Sequence, residues 1–235
     1  MAQATSLTAP TPAQGRPRWL WVGLAVLGLA VVLAAGVVVW QARSTPKQLV
    51  GGATVDGRPP APDFALTDQL GRPQQLSQFR GKPVALTFLY TNCPDVCPLI
   101  AANLHQTYRQ LGDQASKVAL VAVTVDPEHD TLDQVRQFSD QRSLTDAWYF
   151  LIGQRPQLEQ VWKSYGILAQ PVDNAGRPVS PGAQNELRGL PAQPAEVEHS
   201  APVFLIDKSG ALRAMLPVDV TPNTLTTDLH ILLAE

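Results

Sequence analysis

Val84-Ala85-Leu86-Thr87-Phe88-Leu89-Tyr90-Thr91-Asn92-Cys93-Pro94-Asp95-Val96-Cys97-Pro98 is the stretch on which the fold turns. Val84 to Tyr90 is apolar enough to be a strand buried on both faces. Beyond the cysteines, Ile100, Leu104, Tyr108 and Leu111 recur at helical spacing. Cys93 and Cys97, the only two cysteines in 235 residues, therefore stand where a central strand ends and a helix begins. The unpaired N–H groups and the dipole at a helix start stabilise a thiolate, so the position favours sulfur chemistry.

Two thiols four positions apart suit three tasks. They can close a disulfide, because i,i+4 Cα atoms in a helix lie roughly 6 Å apart, within the tolerated range. They can exchange disulfides with another protein. They can hold a soft metal such as Cu(I) if a third ligand arrives. A pair of inert, buried cysteines is the plainer alternative, since both extend the apolar stripe of Ile100, Leu104 and Leu111. The flanking Pro94 and Pro98 weigh against it, because they mark a shaped turn rather than plain core helix.

Outward from this centre, the N-terminal part reads as a membrane segment. Residues 1–18 are polar and end in Arg16-Pro17-Arg18, a short cytoplasmic tail. Trp19 to Trp40 is uncharged and rich in Leu, Val, Ala and Gly, with tryptophans at both ends. About 20 such residues span a bilayer, whereas the apolar core of a signal peptide is about 7–15 residues long. The sequence thus predicts an uncleaved, single-pass transmembrane helix. The positive-inside rule gives a slight bias to a cytoplasmic N-terminus, which puts the remainder on the periplasmic or equivalent side of the cell membrane. Residues 41–60, with Gly51-Gly52 and Pro59-Pro60, read as a linker, and residues 61–235 as one domain. With a net charge of −2 and no basic block, nucleic-acid binding has no support.

Within that domain, Ala61–Leu66 reads as an edge strand turned back at Asp68-Gln69-Leu70-Gly71. Val118–Val125 is a second central strand. Thr131 with Gln134 forms a capping box that opens a helix burying Leu132, Val135 and Phe138. Trp148–Ile152 is a third strand, and Leu158, Val161, Trp162 and Tyr165 mark another helix. Val203–Ile206 turns at Asp207-Lys208-Ser209-Gly210 into a strand at Ala211–Leu216. Thr221 and Pro222 open a last helix. Strands alternating with helices and ending in a hairpin predict an α/β sandwich with a mixed sheet flanked by helices. Residues 168–200 hold five prolines and no periodicity, a long loop of the kind that is functional or disordered.

Thr91-x-Cys93-Pro94-Asp95-Val96-Cys97-Pro98, then Asp126-Pro127-x-x-Asp130-Thr131, then His199-Ser200 before Phe204-Leu205-Ile206-Asp207, closely resembles the Sco (SenC) family. The resemblance runs through residues 61–235 in order, and the N-terminal anchor matches it. It implies a thioredoxin-like fold behind a membrane anchor, and a copper protein used in assembling cytochrome c oxidase. It implies Cys93, Cys97 and His199 as ligands of Cu(I) or Cu(II), and gives the acidic loop of Asp126 and Asp130 a supporting role. His129 stands where the family often has arginine, Leu132 where proline is frequent, and Glu198 where aspartate usually precedes the histidine.

A lone histidine is more often a surface or satisfied core residue than a ligand, and His105, His129 and His230 read that way. Three functions compete. One is a copper chaperone that metallates the dinuclear CuA site of cytochrome c oxidase subunit II. Another is a thiol-disulfide oxidoreductase that keeps the cysteines of that subunit, or of another copper chaperone, reduced, itself served by other thiol reductants. A third is a redox or copper sensor. Thioredoxin-like reductases carry two residues between their cysteines, and here there are three, so the chaperone leads.

Overall fold

The computed structural model describes residues 18–44, 48–172, 196–199 and 201–235. The chain divides into two compact units, Met1–Lys47 and Gln48–Glu235. The first contains helix α1, Arg18–Ser44, 27 residues long. Its Leu and Val side chains between Val22 and Val38 stand exposed. Among the described residues no helix is long and apolar enough to cross a membrane; on α1 the described side chains cover 22–24 and 26–38.

The second unit follows the chain as β1 (Ala53–Thr54), β2 (Ala65–Thr67), β3 (Pro73–Gln75), β4 (Val84–Leu89), α2 (Val96–Leu111), β5 (Ala119–Thr124), α3 (Leu132–Gln141), β6 (Tyr149–Leu151), α4 (Arg155–Ser164), β7 (Ala169–Val172), β8 (Glu196–His199), β9 (Val203–Ile206), β10 (Leu212–Leu216) and α5 (Pro222–Ala234). Six strands form one mixed sheet in the order β1-β10-β9-β4-β5-β6. β4, β5 and β6 run parallel, β9 lies antiparallel beside β4, and β10 pairs antiparallel with β9. Every residue of β4, β5 and β9 is buried, as their unbroken apolar runs require. Burial of side chains such as Leu86 and Phe88 contributes about 1.5–3 kcal/mol each. α2 leans on the C-terminal part of the chain, with Asn103 donating to the Val220 carbonyl and Thr226 to Gln110. Tyr165, at the end of α4, packs its ring against Phe88 and Phe204.

Four features differ from the sequence reading, and all but the cap at Thr131 depend on contacts distant along the chain. Residues 48–60 are not all linker. Leu49 is buried, the Val50 and Gly51 N–H groups donate to the buried Asp228 carboxylate at 2.7 and 2.9 Å, and β1 pairs with β10. A Cβ on Gly52 would lie 2.4 Å from the Met215 carbonyl, so the close approach requires glycine. The edge strand expected at Ala61–Leu66 is instead the first arm of a separate β2–β3 hairpin, touching the main sheet through a Thr67–Ile152 bridge. At Thr131 half of the capping box forms: its hydroxyl accepts the Gln134 N–H at 3.3 Å, while its own N–H is taken by the His129 carbonyl. The long loop at 168–200 begins and ends in an antiparallel pairing of β7 with β8, Ala169 opposite His199; residues 173–195 and 200 lie outside the described residues.

Candidate functional site

β4 delivers Tyr90, buried, to the end of the sheet, and residues 91–95 turn the chain into α2. A helix start leaves four N–H groups without intrahelical partners. The N-cap residue Asp95 supplies no side-chain bond. The sulfur of Cys93 does so in its place, accepting the Cys97 N–H at 3.4 Å. Both cysteines are buried, Cys97 completely, and no disulfide joins them. The strand–helix junction is where the sequence places the pair, with one change of geometry: Cys93 lies in the turn, and only Cys97 is on the helix.

The expectation of a stabilised thiolate does not hold for Cys97. A hydrogen bond to Cys93 and burial push its thiol far above the ordinary range, the charges of Cys93 and Asp130 add to this, and a bond from the Tyr90 backbone opposes it. A helix start contributes at most about 2 kcal/mol to an anion, too little to offset a second buried charge beside the first. The pair therefore does not ionise as two independent thiolates.

The acidic loop packs directly behind this turn. Asp130 is buried and accepts from the Thr91 N–H at 3.0 Å, the Thr91 hydroxyl at 2.5 Å and the Thr124 hydroxyl at 2.5 Å. Burial pushes its carboxyl up to about 6 against the pull of those bonds. Asp126 is likewise shifted upward by burial, with His129 opposing; His129 Nδ1 lies 2.9 and 2.8 Å from its two oxygens. His129 is thus a half-buried partner of Asp126 rather than a plain surface residue. The sequence shows the acidic loop but not its grip on Thr91, because a short-range pattern carries no sign of a contact across 39 residues.

His199 closes β8, and its side chain lies outside the description. The chain leading into β9 is anchored: Ala201 is buried and the Pro202 carbonyl accepts the Thr87 hydroxyl of β4 at 3.1 Å. β9 is antiparallel to β4, with Leu86 opposite Phe204, so the chain enters β9 from the end of β4 that carries the cysteines. His105 and His230 are half-buried on α2 and α5. Among the described residues no group of three or more His, Cys, Asp or Glu side chains is arranged to hold a metal.

A mixed sheet with a thiol pair at the end of its central parallel strand defines a thioredoxin-like dithiol protein. Within that class the chain belongs to the SCO1/SenC family, whose model matches residues 53–234. It is 31% identical over 150 residues to the mitochondrial SCO2 homolog of Bos taurus, an alignment covering 63% of this chain and 50% of that protein. The chain thus spans about half the length of that relative. Among solved structures, Bradyrhizobium japonicum ScoI with copper bound superimposes with a TM-score of 0.60 at 26% identity, over 78% of this chain and 100% of that one. Apo Sco1 from Thermus thermophilus gives 0.58 at 27% identity, over 77% and 94%.

Proposed function

We propose that this chain is a membrane-anchored copper-binding protein that delivers copper to, or prepares the cysteines of, the CuA centre of cytochrome c oxidase subunit II. The observation that carries this reading is the contact between two buried cysteines at the strand–helix junction, in a family with a member solved with copper bound. Two sulfurs form a soft donor set that fits Cu(I), and an imidazole added to them accommodates Cu(II). Cys93 and Cys97 supply the sulfurs and His199 the imidazole. The metal is cargo, so one ligand carried outside the six-stranded sheet suits a site that must release it. Residues 19–40, within α1, act as the single-pass anchor that holds the copper domain outside the cytoplasm.

The apposition of the sulfurs also favours a second reading, a thiol-disulfide oxidoreductase. In that reaction the two thiols give two protons and two electrons to a partner disulfide. The Cys93–Cys97 bond forms and the partner leaves as a dithiol. Because the disulfide uses both sulfurs, copper loading and oxidation exclude one another.

The test is copper reconstitution of the full chain in detergent, with metal counted per protein and disulfide reductase activity measured alongside. The reduced parent binds copper stoichiometrically, the oxidised parent does not, and His199→Ala weakens binding or changes its spectrum while His105→Ala and His230→Ala do neither. Binding by the oxidised protein would remove the cysteines as ligands. A His199→Ala variant that matched the parent with both copper ions would remove the imidazole.

A further inference from the structure

The two sulfurs are positioned by different parts of the fold. Cys97 is on α2, whose Ile100, Ala101 and Leu104 are embedded in the core, so its place is set by helix packing. Cys93 is in the turn ahead of the helix, where its sulfur accepts the Cys97 N–H at 3.4 Å. Two residues ahead of it, Thr91 is gripped through both its backbone N–H and its hydroxyl by one oxygen of Asp130. The other oxygen accepts the Thr124 hydroxyl at the end of β5. That hydroxyl also accepts the Asp126 N–H at 2.9 Å, and the Thr124 carbonyl is held by the Trp162 indole at 3.0 Å. The Asp130 backbone N–H closes its own loop on the Asp126 carbonyl. A continuous line of bonds thus runs from the second central strand through Asp130 to the residue that launches the Cys93 turn.

We infer that Asp130 is a positioning residue for the thiol pair, setting the place of Cys93 relative to Cys97 through Thr91. The inference rests on the reading of the pair as copper ligands and redox partners. In this role Asp130 acts through Thr91. Its removal frees the turn at the Thr91 end while leaving Cys97 on its helix. The distance and angle between the sulfurs then vary, and both disulfide closure and two-sulfur coordination depend on them.

The experiment uses the full chain with Asp130→Ala, Asp130→Asn and Thr91→Val. Each is measured for its melting temperature, for its metal-free dithiol–disulfide equilibrium against a glutathione buffer, and for Cu(I) affinity by competition with a chelator. Asp130→Ala is expected to move the exchange constant at least about tenfold, which is about 30 mV for this couple. It is expected to weaken Cu(I) by about 10- to 100-fold. Thr91→Val moves both in the same direction by less. Asp130→Asn, whose amide oxygen still accepts the Thr91 N–H, stays within about threefold of the parent. If Asp130→Ala lowers only the melting temperature and keeps the parent's exchange constant and Cu(I) affinity, the role is purely structural and the inference is overturned. Should that variant fail to fold, Thr91→Val decides, and a parent-like exchange constant overturns the inference. If the parent itself takes up no copper, the copper reading falls, and the metal-free equilibrium still decides the positioning role.

Discussion

Asp68 and Asp130 each close a turn with a buried carboxylate, in two corners of the same domain, and what surrounds the charge differs. Asp68 accepts from the N–H groups of Leu70 and Arg72 at 2.9 and 2.8 Å, from the Arg72 guanidinium at 2.8 Å and from the Gln74 amide at 2.8 Å. Burial alone would raise its carboxyl, but these four donors hold it below its ordinary value. Asp130 has one N–H and two hydroxyls, with no cation bonded to it among the described ion pairs. There burial prevails and the carboxyl rises to about 6. A charge surrounded by donors and a cation makes a finished structural corner. A charge left only partly compensated sits beside the thiol pair, where it opposes a second anion and suits an arriving cation.

The largest effect expected from this contrast is on stability at the Asp68 corner. Asp68→Ala removes four hydrogen bonds, worth about 1 kcal/mol each, and should cost about 4 kcal/mol by chemical denaturation. The dithiol equilibrium of the variant should match the parent's, because the β2–β3 hairpin has no bond to the cysteine turn among the described contacts. A large change in that equilibrium would mean that the two corners are coupled, and the comparison would break.

The next effect is on pH dependence, where the corners act with opposite signs. Asp130, at about 6 in the fold against an ordinary 3.8, holds its proton more tightly folded than unfolded. Its contribution to stability is greatest below about pH 4 and is lost as pH rises to about 6, by on the order of 3 kcal/mol. Asp126, shifted upward as well, acts in the same sense. Asp68, shifted downward, gives stability that is present above pH 4 and lost as pH falls below it. Unfolding free energies of the parent and of Asp130→Asn across pH 3.5–7 separate the two. The fall between 4 and 6 should shrink in Asp130→Asn, and an unchanged profile would assign it to other groups.

The smallest effect is at Arg72, whose side chain is more than half exposed. Arg72→Gln should cost less than about 1 kcal/mol, as expected of a solvent-screened pair. It should also move the acid limb of the pH profile toward higher pH, since Asp68 loses its cation. A loss as large as that of Asp68→Ala would show that the guanidinium, rather than the backbone donors, carries the corner.

Legibility in the sequence tracked distance along the chain. The buried strands β4, β5 and β9 came from unbroken apolar runs, and α5 from Thr221 and Pro222, whose cap forms as expected with Thr221 accepting the Thr224 N–H. The junction carrying Cys93 and Cys97 was likewise local, a strand period giving way to a helix period. Family membership was legible because its motifs are short and occur in order. The docking of Val50 and Gly51 onto Asp228 was not legible, because it joins residues 178 and 177 positions apart. Neither was the pairing of β7 with β8, where proline-rich sequence concealed a four-pair ladder.

By itself the sequence determined where the two thiols stand along the chain, on which kind of junction, and in which family, because each of these is written in contiguous residues. Only the tertiary structure decided that Cys93 sits in the turn while Cys97 is on the helix, that burial and the bond to Cys93 raise the Cys97 thiol, and that Asp130 holds Thr91. Those outcomes depend on which groups the fold brings together and shields from water. Burial and hydrogen bonding set them more strongly than the helix start that the local sequence shows.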